Sequence, residues 1–349
     1  MKLLIIFIML LIPLSVYGEE YTHIRGEDFF NDTADNIISG NFTLNPVELM
    51  KTGTDKLFEE FGKSRSEMAG ILVIAAMSGV LKAIKTGGES ETADGVEFAC
   101  FMLMTVSAIR IFSHTVGYGV EVIKDLSTFI TKLSPVFVAL LVSGGTSVTA
   151  AAFHPILSGA VYVMTVVVDK CIVPLVYLSA VLGIVGHITP RLQLTAFTKL
   201  IRGTGKWILL MSLTIFTGVT AAYGFAAPGI DAIALRSMKF AVGSFVPVVG
   251  GLLSDTVETV LSGTRLMKNA VGTAGIIAVT TICVVPIIKI LVIKIMLEVC
   301  TAVAEPLADK RIMGMLKDIS ASVSMVLGMV ITVSMLFIIC IAIILSVTG

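Results

Sequence analysis

"ISASVSMVLGMVITVSMLFIICIAIILSV", from Ile319 to Val347, runs for 29 residues without one charged side chain. As an α-helix it would reach about 43 Å at 1.5 Å per residue, against roughly 30 Å of bilayer hydrocarbon. Trp207 to Ile230, Leu133 to Phe153 and Asn269 to Ile288 are uncharged as well. Of the 349 residues, 56% are hydrophobic and only 14% charged, where a soluble domain carries about 25% charged residues. The chain is too poor in charge to cover a water-facing surface. The fold class that follows is all-α, a polytopic helical membrane protein. A β-barrel would show short alternating strands instead.

The first residues form a separate pattern. Met1-Lys2, an apolar run from Leu3 to Val16 and "VYG" before Glu19 have the three regions of a secretory signal peptide, residues 1–18. The alternative is an uncleaved anchor helix; both place Glu19 outside the cytoplasm. Residues 19–66 are the one sizeable polar segment, with apolar residues at Val47, Leu49, Met50, Leu57, Phe58 and Phe61 in helix-like spacing. A helical membrane domain is expected over residues 67–349.

Candidate spans fall at 68–84, 98–116, 133–153, 156–186, 207–230, 270–293 and 319–347, giving six to eight transmembrane or re-entrant segments. The fourth carries Asp169-Lys170 at its middle and Pro174 just beyond. The loop 187–206 holds Arg191, Lys199, Arg202 and Lys206 without an acid, and Lys310, Arg311 and Lys317 mark a second basic loop. The positive-inside rule puts both in the cytoplasm. Counted from an external Glu19, that requires 156–186 to be a re-entrant hairpin that enters and leaves on one face. Asp169-Lys170 then reads either as a functional intramembrane pair or as a neutralised pair at the hairpin tip. Lys51, Lys56, Lys63 and Arg65, on the supposed outer side of the first span, run against this orientation.

"FVPVVGGLLSDTVETVLSGTRLMKNAVG", Phe245 to Gly272, interrupts the apolar pattern. Asp255, Glu258, Thr259, Ser262, Arg265, Lys268 and Asn269 stand three and four residues apart, so a helix over 252–269 stacks them on one face. Four central charges would cost about 10 kcal/mol or more in lipid. The segment therefore lies in the membrane interface, or its polar face lines a water-filled cavity or meets a partner. Pro247, Gly250 and Gly251 would be its hinge.

Other motifs carry less. "TVGYG", Thr115 to Gly119, spells the potassium-channel filter, but Arg110, His114, Glu121, Lys124, Asp125 and Lys132 flank it; a glycine-broken helix end or loop is the expected reading. "GGTS", Gly144 to Ser147, reads as small residues allowing close helix packing, with unwound backbone or an ion site as the alternative. Cys100, Cys171, Cys283, Cys300 and Cys340 are scattered singly and read as small buried hydrophobes. His23, His114, His154 and His187 lie far apart, with no metal-ligand spacing. No catalytic, nucleotide-binding or cofactor motif occurs, so neither an enzyme nor a cofactor is expected. Without a basic block, neither is a nucleic-acid partner.

"KFAVGSFVPVVGGLLSDTVETVLSGTRLMKNAVGTAGI", "CVVPIIKILVIKIMLEVCTAVAEPLAD" and "SGGTSVTAAAFHPIL" with the later "PLVYLSAVLGIV" resemble the stage III sporulation protein AE family of endospore-forming bacteria. The resemblance implies a multi-pass protein of the mother-cell membrane surrounding the forespore. Its implied partners are the other stage III sporulation A membrane proteins and, through them, stage II sporulation protein Q, in a channel or secretion-like complex that sustains forespore development. It carries over no catalytic residues. A homo-oligomer is compatible with it. The alternative from another class is an autonomous ion-coupled small-molecule permease, which paired broken helices in an internal repeat would favour.

Overall fold

The computed structural model describes residues 70–74, 76–77, 91–188, 194–245, 250–305 and 310–346. The signal-like start, the polar segment 19–66, most of the span expected at 68–84 and Pro247 lie outside the described residues. Within them the chain is helical: α1 Glu91–Ser143, α2 Ser147–Val166, a π-helical segment Val167–Ile172, α3 Val173–Ile188, α4 Thr195–Phe245, α5 Gly250–Ala304 and α6 Lys310–Ser346. Among the described residues, five runs are long and apolar enough to cross a membrane: Phe98–Ser143, Ser147–Ile188, Thr195–Ile233, Ser262–Ala304 and Lys310–Ser346. The protein is a multi-pass helical membrane protein.

Two expectations about the spans are corrected. The segments read as 98–116 and 133–153 are not two crossings. The charges between them sit on one uninterrupted 53-residue helix, α1. The real reversal is at Gly144–Thr146, where Gly145 takes a φ of 76°. Only glycine adopts that left-handed conformation at no steric cost. "GGTS" is thus a turn joining two helices rather than a packing stripe. "TVGYG" lies inside α1, neither filter nor helix end.

The expected hairpin over 156–186 is also absent. The chain runs from Ser147 to Ile188 as one helical rod, and Asp169-Lys170 sits in its π segment. Pro174 has no N–H to offer the Lys170 carbonyl, and its ring crowds the preceding turn. The wider π turn, in which the Val173 N–H reaches back to the Val168 carbonyl, relieves that crowding without reversing the chain. The two corrections cancel in the crossing count. The basic residues Lys199 to Lys206 of α4 and Lys310 to Lys317 of α6 fall at the same end of the bundle, as expected, but without a re-entrant hairpin.

The crossings alternate in direction. Ser134 on α1 meets His154 on α2 at 3.1 Å, and Phe112 packs edge-on to Tyr177 of α3 at 5.6 Å between centroids. Ser334 on α6 donates to Cys283 Sγ on α5 at 2.9 Å. Helix α6 is the centre, packed against α1, α3, α4 and α5. It buries Leu316, Val323, Met329, Val333, Phe337 and Ile341 among others. Its neighbours approach closely at glycine: a Cβ on Gly183 would stand 2.7 Å from the Asp318 Cβ. One on Gly272 would overlap Leu345, and one on Gly314 would overlap His187. Such small-residue approaches are how helices associate where lipid removes the hydrophobic drive.

The turn after α1 leaves the N–H groups of α2 to be satisfied, and Thr146 makes no side-chain cap. Asp231 on α4, 2% exposed, supplies it from across the bundle. Its carboxylate accepts from Val148 N and Thr149 N, both at 3.0 Å, and from the Thr149 hydroxyl. A carboxylate is well placed there by charge as well. Asp231→Ala is expected to cost about 1–2 kcal/mol, the range of a lost N-cap, and Asp231→Asn less. Melting temperatures in detergent check this, with Val219→Ala on the outward face of α4 as a control that leaves the transition in place.

Candidate functional site: charges at mid-membrane depth

Depth within the bundle follows from the contacts between helices. The uncharged run of α6 has its midpoint near Ser334, which touches Cys283 on α5. Lys289 of α5 lies over the Tyr118 ring of α1, 5.5 Å from its centroid. A Cβ on Gly275 would stand 3.1 Å from Leu133. Counting between these antiparallel anchors sets Cys283 opposite Lys124-Asp125 of α1. Ser127 meets Thr165 at 3.3 Å; counting from there sets Asp169 at the same level. The middle of the membrane therefore holds Lys124, Asp125, Asp169 and Lys170, with Glu121 and Lys289 within about a turn or two of them.

These groups face outward. His114, Gly117, Lys124, Thr128, Thr131 and Lys132 are exposed on α1, with Glu121 and Asp125 half-buried. The spacing of three and four residues makes one stripe. Asp169, Lys170 and Cys171 are exposed on the π segment. Tyr118, Glu121, Asp125, Lys132 and Lys289 each have an interaction partner. The outward face of α4 is the opposite case: Trp207, Leu210, Ile215, Val219 and Tyr223 are all exposed and suited to lipid. The charges on α1 and the π segment are set among exposed apolar residues such as Tyr162, Val163 and Val166, whereas this face of α4 is apolar along its length.

The polar face expected over 252–269 is helical and runs without a break into the following span, as the first third of α5. The side chains of Asp255, Glu258 and Arg265 lie outside the described residues. Gly250 and Gly251 open the helix. Ser262 and Asn269 are exposed, but Lys268 is turned inward, 3% exposed. Its ammonium reaches the Leu345 carbonyl at 3.4 Å, near the C-terminal end of α6, where free carbonyls favour a cation. The stripe read from the sequence is thus divided: part outward, part closing the end of the central helix. Asp169 and Lys170 are brought level with α1 charges from far earlier in the chain, which their sequence positions did not disclose. Cys171 departs from the expected burial, while Cys100, Cys283, Cys300 and Cys340 conform to it.

A second polar cluster, missed in the sequence, sits at the end of the bundle that carries the basic loops. Arg202 of α4, expected in a cytoplasmic loop, turns into the bundle. Its Nη1 donates to Asp318 Oδ1 at 2.9 Å, one Nη2 bond goes to the Asp318 carbonyl at 2.7 Å, and Nε donates to Ser179 Oγ at 2.7 Å. Ser179 and Ser322 lie 3.0 Å apart, and the Ser322 hydroxyl donates to the Asp318 carbonyl. His187 Nδ1 lies 2.6 Å from the Gly183 carbonyl and 3.6 Å from Asp318 Oδ2. One guanidinium thereby ties α3, α4 and α6 together. The only advance signal was Asp318, the one acid in α6, at the mouth of its uncharged run.

Arg202→Ala is expected to destabilise by about 2–4 kcal/mol, toward the range for a buried pair left with one uncompensated charge. Removing Asp318 as well returns part of that loss. Arg202→Lys does not restore the parent, because an ammonium lacks the planar fork that reaches Asp318, Ser179 and Ser322 at once. A double-mutant cycle of melting temperatures in detergent measures the coupling.

No solved structure matches this chain. It is 29% identical over 310 residues to the Stage III sporulation protein AE of Bacillus subtilis (strain 168), covering 88% of this chain and 78% of that protein. The sequence pattern defining the family described as Stage III sporulation protein AE matches residues 29–348. With a match over nearly its whole length, the chain belongs to the stage III sporulation protein AE family.

Proposed function

We propose that this protein is a membrane subunit of the channel or secretion-like complex between mother cell and forespore, residing in the mother-cell membrane around the forespore and acting through assembly rather than catalysis. Its partners in this reading are the other stage III sporulation A membrane proteins and, through them, stage II sporulation protein Q. The observation that carries the reading is the outward charged belt at mid-membrane depth. Each charge at the centre of a lipid-facing helix costs about 2.5–3.5 kcal/mol on insertion scales. Lys124, Asp169 and Lys170, all exposed, therefore belong against protein or water, not lipid. A bundle fully surrounded by lipid would not expose them. The polar residues of 252–269, including Asp255, Glu258 and Arg265, offer a second contact nearer the membrane surface.

The orientation follows from the basic ends of α4 and α6, which belong in the cytoplasm. In a Cys171→Ser background produced in vegetative cells, where the membrane faces the medium, Lys199→Cys and Lys310→Cys are expected to stay shielded from an impermeant maleimide, while Ser147→Cys at the opposite end is labelled. The reverse pattern would invert the topology.

Replacing Lys124, Asp169 and Lys170 together with Leu makes the belt more compatible with lipid, so accumulation in the membrane is expected to hold. Spore yield in the native host is expected to fall at least about a hundred-fold. Normal spore yield would remove the belt from the function. Substrate uptake by the purified protein alone in vesicles would favour the permease instead.

A further inference from the structure

The belt carries both signs of charge at one depth, and that limits what can cover it. Asp169 stands level with Lys124, and Lys170 is next to Asp169 in the chain. All three are exposed, and Thr128, Thr131 and Lys132 continue the polar stripe toward the end of α1. Copies of one membrane protein share the same orientation, so any axis relating them lies along the membrane normal. Rotation about such an axis leaves every residue at its own depth. At that shared depth a neighbour's Lys124 or Lys170 is available to one copy's Asp169, so the belt is able to complement itself.

We propose that the belt is the interface between copies of this chain: α1 and the π segment of each copy face their counterparts at the middle of the membrane. It rests on the functional reading of the belt given above and adds the identity of what covers it. The apolar outward face of α4, from Trp207 to Tyr223, remains against lipid. The small and hydroxylated residues of the stripe, Gly117, Thr128 and Thr131, allow the close backbone approach and interhelical hydrogen bonds by which membrane helices associate. Ion pairs formed there sit in low dielectric, where attraction between matched charges is strongest and a mismatched register is most penalised.

The test is oxidative cross-linking in membranes of sporulating cells carrying the full-length chain with Cys171→Ser. Thr128→Cys and Thr131→Cys are expected to give a disulfide-linked species of twice the chain mass, at least about ten-fold above Val219→Cys on α4. Asp169→Lys is expected to abolish the Thr128→Cys cross-link. Adding Lys124→Asp and Lys170→Asp to that variant is expected to restore it, a rescue that general misfolding would not produce. Equal cross-linking at Val219→Cys, or none at either stripe position, overturns the proposal. So does a Thr128→Cys variant that links to a different protein, or one that reacts with an impermeant maleimide without linking, since water would then occupy the face. If cross-linking fails while the Leu-substituted belt still blocks sporulation, only the self-association falls. If that variant sporulates normally, the functional reading of the belt falls with it.

Discussion

Hydrocarbon offers a polar group nothing to bond to, and the arrangement of this bundle follows from that one constraint. Polar side chains at depth either meet a protein partner or face something other than lipid. Asp231 is buried because the start of α2 supplies it with N–H donors. Arg202 is admitted because Asp318, Ser179 and Ser322 present oxygens on two neighbouring helices. Lys268 is turned inward toward the end of α6. The hydroxyls of Thr105, Thr115 and Thr301 fold back onto carbonyls one turn earlier. The belt of α1 and the π segment stands apart because Lys124, Asp169 and Lys170 are exposed at that depth.

The two internal clusters act at opposite ends of the bundle. Asp231 joins α4 to the start of α2, and Arg202 joins α4 to α3 and α6. Helix α4 leaves much of its outward surface exposed, so these two polar contacts hold a helix that apolar packing alone grips weakly. Between them α6 is held by the close approach of Gly119 to Val326 and Met329 and by the Ser334–Cys283 hydrogen bond. At both ends of α6 the polar contacts work together with close glycine approaches, Gly183 at Asp318 and Gly272 at Leu345.

The class of the fold was legible in the uncharged runs, and the spans at 207–230, 270–293 and 319–347 correspond to α4, α5 and α6. What misled the reading of α1 was the same feature that gives it interest. Glu121, Lys124, Asp125 and Lys132 split its hydropathy, so one helix read as two and the true turn was hidden inside an apolar stretch. A hydropathy pattern treats a charge as the edge of the membrane, and here the charges mark its middle. Asp169-Lys170 stood out in the sequence, but its placement level with Lys124 depends on tertiary packing that no local pattern encodes. Arg202 looked like loop charge because only the folded bundle brings Asp318 to it. The helix expected over 252–269 is present, but burial of Lys268 against the C-terminal end of α6 could not be read from spacing.

The position of α6 has a consequence for how the molecule is made. The central helix is also the last of the described helices to leave the ribosome. Until it enters the membrane, α1, α3, α4 and α5 surround a vacancy, with Arg202 lacking its carboxylate and Lys268 lacking its carbonyl. The earlier helices must wait in the bilayer with their inner faces unsealed. Closure of the bundle therefore waits on the 37 residues of α6, and a chain stopped short of them keeps contacts such as Phe137 on Phe153 but loses the helix that joins α1, α3, α4 and α5.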